Sequence, residues 1–452
     1  MTYIIAYKGN VVHSVTLGEL EVLQPGLVGV NEHGVIVFVR NLDLWPLDTH
    51  RFDELVDLGD HLLIPGFIDG HTHASQYSFV GVGMHVPLLQ WLETYTFPYE
   101  SKFQSRDYAR DVYEKAVRRH LHNGTTTCSY FATIHLEACK VLTDIVEEMG
   151  QRGYIGKVNM DRNGTSELQE DTQSSVNETR EFVQYVNNKK SELLTPVITP
   201  RFVPTCSSEL MRALAEISNE HKPKLPIQSH LDENQDEISW VKSLHPESKT
   251  YTDVYLNHGL LHERTYLAHC IWCSKGERDI LRDKQTAVIH CPNSNFSLSS
   301  GILNVRRLLQ IGIKVGLGTD VSGGYSPSML DAIRQAIIAS KLVSMGNGSS
   351  SDEVNDILPK PLTYADAFHL ATVGSAEALG LSDKVGNFMI GKSFDALVVD
   401  PYAANSPIDE TLDQDEDVDV LHMFQKFLFL GDDRNIVKVF VNGRQVKNNN
   451  IN

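Results

Sequence analysis

A histidine two residues from another histidine can hold a metal ion if both sit on a strand. The stretch Leu62-Leu63-Ile64-Pro65-Gly66-Phe67-Ile68-Asp69-Gly70-His71-Thr72-His73 has that form. It reads as a buried strand, and strand residues i and i+2 point to one side. Two imidazoles then converge on one point, an arrangement suited to zinc. An isolated pair of this kind is more often a surface or packing pair, so its partners decide. His230, His269 and His290 each end a later apolar run, and Asp320 ends another. Three neutral imidazoles and one carboxylate, with a water, make a zinc or iron site. The count alone does not fix which histidines ligate.

The chemistry of such a site is hydrolytic. A bound metal brings the pKa of its water towards neutrality. Glu233, three residues past His230, is suited to carrying a proton between that water and a leaving group. The bland alternative for Glu233 is a solvated acid at a helix start. Asp232 competes for the role, but its neighbouring position points it elsewhere. Asp320 could ligate and also accept a proton, and His269 could orient the water or stabilise an oxyanion.

These groups need a scaffold that brings chain-distant residues together. Eight apolar runs read as strands: Leu62 to Asp69, Thr125 to Phe131, Tyr154 to Met160, Thr195 to Phe202, Leu225 to His230, Thr265 to His269, Ala287 to His290 and Ile313 to Thr319. Between most of them lie stretches with helical apolar spacing, such as Asp107 to Asn123 and Ser208 to Lys222. Eight such repeats predict an α/β fold, a TIM-like (β/α)8 barrel over 66–384, with active-site groups at the C-terminal ends of the strands. Short β-type runs in 1–65 and 385–452 predict a small β-sandwich domain built from both chain ends. Residues 74–104 are aromatic-rich and read as a lid or as packing on the barrel mouth. Residues 161–180 read as a solvated loop, the acidic stretch Asp409 to Asp419 as exposed, and the tail from Lys447 as disordered.

Composition narrows the partners. The chain has 452 residues, 58 acidic and 40 basic side chains, and a net charge of −18. That argues against nucleic acid and anionic membrane as partners. No apolar run approaches spanning length, and Met1 to Tyr7 lacks the pattern of a secretory leader, so a cytoplasmic protein is expected. Cys270-Ile271-Trp272-Cys273 lacks a second CxxC and reads as packing. The fourth strand carries no lysine that could bridge two metals, which favours one. Gly323-Gly324-Tyr325-Ser326-Pro327 lacks the pattern of a phosphate-binding loop. His290 is expected to support Pro292 to Asn295, and His85, His120, His122 and His135 to pack or face solvent.

For the substrate, Arg201 presents a planar fork that can grip two acceptors, such as the oxygen and nitrogen of a purine edge. The Gln76 amide can donate and accept, and Phe202 offers a ring face. A surface ion pair for Arg201 and core packing for Phe202 are the plainer alternatives.

Together these residues resemble the amidohydrolase superfamily and, within it, the guanine deaminases. The resemblance is densest in Gly70 to Gln76, Asn123 to Thr127, Thr199 to Phe202, Gln228 to His230, His290 to Asn295 and Gly316 to Val321. It implies one zinc ion per subunit on His71, His73, His230 and Asp320. It implies Glu233 as proton shuttle, with His269 and Asp320 also catalytic. Guanine would be bound by His73, Ala74, Ser75, Gln76, Arg201, Phe202, His230, Glu233 and Asp320. It also implies a homodimer in purine catabolism or salvage that converts guanine to xanthine and ammonia. Asp232 departs from the family, where serine often precedes the glutamate. A related enzyme acting on a triazine or pterin, and a barrel kept only as a scaffold, are the alternative readings.

Overall fold

The computed structural model describes residues 3–49, 51–348, 359–409 and 419–448. Most of the acidic stretch 409–419 and residues 449–452 lie outside them, but the tail expected to be disordered from Lys447 is not so at its start: Lys447 and Asn448 end a strand, Arg444–Asn448, and buried Lys447 donates to the His122 carbonyl at 3.0 Å.

The first four strands are β1 (Ile4–Thr16), β2 (Glu19–Asn31), β3 (Ile36–Asn41) and β4 (Glu54–Pro65). The barrel follows as β5 (Phe67–His73), β6 (Thr125–Phe131), β7 (Arg152–Asn159), β8 (Leu194–Pro200), β9 (Ile227–Leu231), β10 (Thr265–His269), β11 (Ala287–His290) and β12 (Val315–Leu317). The chain ends in β13 (Ala396–Val399), β14 (Ile436–Val441) and β15 (Arg444–Asn448).

Strands β5 to β12 lie side by side in chain order, all parallel. The ring closes between its first and last members: His73 N–H donates to the Val321 carbonyl at 2.9 Å, and Asp320 N–H to the His71 carbonyl at 2.8 Å. The expected helices are present, for example Arg106–His122 and Ser208–Asn219. The latter begins under a Ser207 cap whose hydroxyl accepts from Leu210 N–H. The TIM-like barrel predicted from strand count and spacing is thus the fold observed.

Strands from the two chain ends build the second sheet, in the order β15-β14-β13-β4-β1-β2-β3. Its strands alternate between two apolar clusters. Leu63, Ala396 and Val398 pack with Tyr7, Phe394 and Phe440. Leu62, Ile64, Leu397 and Val399 join the cluster that includes barrel residues. A period of two along strands buried on both faces explains why these runs read as continuously apolar. The pairing of β1 with β4 is parallel, and the other pairings in this sheet are antiparallel.

The run from Leu62 is two strands rather than one. It leaves the second sheet at Pro65 and enters the barrel at Phe67. Gly66 makes the crossing, because a Cβ there would sit 2.2 Å from the Thr126 side chain. The stretch 161–180 is also not a solvated loop. Lys157 is fully buried in β7, and Glu170 folds in to pair with it. Leu168 is buried beside this turn, and a helix starts at Thr172 under an Asp171 cap.

Candidate active site

The strand-end residues gather at the C-terminal mouth of the barrel. His71 and His73 leave the same side of β5, their rings 5.0 Å apart. His230, near the end of β9, stacks on His73 with ring centroids 5.2 Å apart. Their Nε2 atoms are 3.2 Å apart. Asp320, just past β12, brings Oδ1 to 3.2 Å from His71 Nε2 and 3.4 Å from His73 Nε2. His269 ends β10, with Nε2 3.7 Å from Asp320 Oδ2 and 3.4 Å from Glu233 Oε2. Ligand atoms of His71, His230, His269 and Asp320 all lie within 4.8 Å of one another.

Neighbouring groups set the ring tautomers. His230 Nδ1 lies 2.7 Å from the Arg201 carbonyl, so Nδ1–H donates and the Nε2 lone pair faces the cluster. His269 Nδ1 donates in the same way to Asn295 Oδ1 at 2.9 Å. Burial pulls the His73 imidazole down to about 4, with His71 lowered and His230 far lower for the same main reason. All three are therefore neutral at pH 7. Burial opposes ionisation of Asp320, but the surrounding imidazoles outweigh it and hold the carboxyl well below the usual range. Glu233 is pushed up to about 8 by burial and by Asp320, against a hydrogen bond from the Ser300 hydroxyl at 3.1 Å. The backbone is left-handed at Asp232 (φ 47°), His269 (φ 71°) and Asp320 (φ 48°), a strain of about 1–3 kcal/mol each that clusters at functional sites.

A cleft opens beside this cluster. His73, Gln76, Arg201, Phe202, His230, Glu233 and Asp320 line it, opposite Leu88, Trp91 and Leu92 of the aromatic segment. That segment, read as a lid or as mouth packing, is a chain of short helical turns that walls the cleft. Ala74 and Ser75 lie in the turn joining His73 to Gln76; both are buried, and neither lines the cleft. The Arg201 fork is already engaged: Nη1 and Nη2 donate to Glu100 at 2.5 and 3.2 Å. Asp232 faces away and accepts from Cys273 Sγ at 3.1 Å. The CxxC cysteines are buried and unbridged. His290 is buried with neither ring nitrogen bonded, so the loop after β11 acts through Asn295 instead.

Sequence reasoning missed Glu100, Asn295 and Ser300. Each bonds a side chain far away in the chain, and an acid among 58 acidic residues carries no spacing signal.

The amidohydrolase family profile matches residues 62–446. The guanine deaminase of Dictyostelium discoideum is 46% identical over 458 residues, covering 98% of this chain and 98% of that protein. The Homo sapiens guanine deaminase is 44% identical over 447 residues, 97% of this chain and 96% of that protein. Among solved structures, the guanine deaminase from C. acetobutylicum with guanine bound in its active site is 38% identical with a TM-score of 0.88, covering 98% of this chain and 99% of that one. Similarity of this extent, over both the barrel and the sheet from the chain ends, makes this chain a member of the amidohydrolase family.

Proposed function

We propose that this protein is a zinc-dependent guanine deaminase, hydrolysing guanine to xanthine and ammonia. The observation that carries the reading is one cleft whose wall holds both sets of groups: His73, His230, Glu233 and Asp320 beside Gln76, Arg201 and Phe202. The identity to guanine deaminases over nearly the full length supports it.

The donor set suits zinc. Zinc ligands at about 2.1 Å stand about 3.4 Å from one another around a tetrahedron. The spacings of 3.2 Å for His73–His230, 3.2 Å for His71–Asp320 and 3.4 Å for His73–Asp320 match that edge length. His71 Nε2 is buried without a hydrogen bond, as an atom meant for a cation would be. His71, His73, His230 and Asp320 would hold one ion per subunit. It would supply a Lewis acid that makes a water nucleophilic near pH 7.

The chain's own groups do the rest. Gln76, Arg201 and Phe202 orient the purine, with His73 to Ser75 shaping the turn below it. Glu233, which positive charge in the site would return to its carboxylate form, takes a proton from the water attacking C2, passes it to a ring nitrogen and assists the departing amine. His269, 3.4 Å from Glu233 and fixed by Asn295, holds the water and the oxyanion in place. Leu88, Trp91 and Leu92 keep bulk water from the cleft.

The reading extends to a cytoplasmic homodimer in purine catabolism, without nucleic-acid or membrane partners. Among the described residues no helix is long and apolar enough to cross a membrane. It also divides the chain into a barrel domain, 66–384, and a composite domain, 1–65 with 385–452. The test is ammonia release from guanine, adenine, cytosine and pterins with metal analysis of the purified protein. Guanine is expected to be the preferred substrate. Absence of guanine turnover, or turnover of another heterocycle in its place, removes the reading.

A further inference from the structure

Glu100 belongs to the aromatic segment that covers the barrel mouth, and its side chain is 1% exposed. Three bonds converge on it. Oε2 accepts from Arg201 Nη1 at 2.5 Å, while Oε1 accepts from Arg201 Nη2 at 3.2 Å and from Gln76 Nε2 at 3.0 Å. On the far end of the Gln76 amide, Oε1 accepts from Ser322 N–H at 3.1 Å. The guanidinium carbon lies over the Phe97 ring, 5.4 Å from its centroid.

These contacts fix the sense of every polar group on that wall. A carboxylate only accepts, so the Gln76 amide nitrogen must face Glu100, and its oxygen must face the Ser322 amide. The amide cannot flip without setting acceptor against acceptor. Arg201 keeps one N–H on Nη2 and the one on Nε, its other Nη1 N–H facing Met160 Sδ at 3.9 Å, and Gln76 keeps one on Nε2. What remains for a ligand is a row of donors. The pair as a whole is uncharged, because Glu100 neutralises the guanidinium, so the wall suits a neutral ring rather than an anion.

We propose that Glu100 is a specificity-determining positioning residue, which locks Gln76 and Arg201 into a donor-rich wall selecting heterocycles with a carbonyl oxygen at that edge, as in a 6-oxopurine. The inference rests on the reading of the cleft as a guanine site and deepens it. A site built of fixed donors loses those partners against a ring lacking the oxygen, and such sites discriminate strongly.

The experiment compares wild type, E100Q and E100D as metal-loaded enzymes. It reads kcat and KM for guanine and the Ki of 2-aminopurine, which lacks the 6-oxygen. E100Q lets the amides turn and leaves Arg201 without a counter-charge. Its KM for guanine is expected to rise about 10- to 100-fold, with the 2-aminopurine Ki moving less than about threefold and kcat changing far less than KM. E100D keeps the charge and is expected to recover most of the loss. If E100Q does not accumulate folded and metal-loaded, E100D carries the test, with a KM rise of about 3- to 10-fold confined to guanine. An unchanged guanine KM, or equal losses for both ligands together with kcat, overturns the inference. Wild-type enzyme inert towards guanine overturns the reading of the site itself. Active wild type beside an E100Q of unaltered preference, or beside an unaltered E100D where E100Q does not fold, overturns the role of Glu100 alone.

Discussion

Two buried arginine–carboxylate pairs stand at opposite ends of the barrel. Arg152, at the start of β7, meets Asp395 before β13, with side chains 4% and 3% exposed. Arg201, after β8, meets Glu100 with side chains 3% and 1% exposed. Burial and pairing are alike, but the surroundings differ. Asp395 Oδ1 also accepts from Asn442 N–H at 2.7 Å, so that pair ties β7 to the second sheet. Arg201 lines a cleft and retains N–H groups. One chemical unit is therefore a fastener at the N-terminal end, while at the C-terminal end it lines an opening, where we propose that it recognises the substrate. What it does depends on whether anything remains unsatisfied beside an opening.

The division of labour predicts that changes at the mouth alter kinetics, while changes at the base alter stability. The largest effect is expected at Glu233. Glu233→Gln removes the proposed proton carrier but keeps the side-chain volume, so turnover of guanine should fall about 10²- to 10⁴-fold. Metal content and melting temperature should stay near wild type. Full turnover in that variant would assign the proton to another group. At the base, Asp395→Asn leaves the Arg152 guanidinium buried without a counter-charge. A loss of about 3–5 kcal/mol in unfolding free energy is expected, read from urea unfolding, with KM for guanine within twofold of wild type. A variant of undiminished stability and weakened guanine affinity would break the comparison.

The barrel was legible because its signals are local. Each strand is a short apolar run, and each ligand-type residue stands at or just past the end of one. His71, His73, His230, His269 and Asp320 could be nominated together for that reason. The contacts that tune them are not local. Glu100 reaches Arg201 across 101 residues, and Ser300 reaches Glu233 across 67. Nothing in the neighbourhood of Glu100 separates it from an exposed helix acid. The 161–180 misreading has the same origin, since the polarity that suggested solvent includes Glu170, partner of the buried Lys157. Gly66 carried no hint that one apolar run would be shared by two sheets, because its constraint is the Thr126 side chain on the next barrel strand.

The smallest expected effect sharpens the comparison most, because it asks whether the mouth tolerates loss of a single hydrogen bond. Ser300 is 2% exposed and its hydroxyl donates to Glu233 Oε1 at 3.1 Å. Ser300→Ala removes that bond and little volume. Glu233 then keeps its place between His269 and the cleft but loses one restraint on its rotation. A hydrogen bond to a carboxylate contributes about 1.5–3 kcal/mol, so kcat should fall about 10- to 160-fold. KM for guanine and metal content should hold, because Ser300 touches neither the donor wall nor the histidines. A fall in stability with kcat intact would instead make Ser300 a fastener like Asp395, and the boundary between the two ends would have to be drawn closer to Glu233.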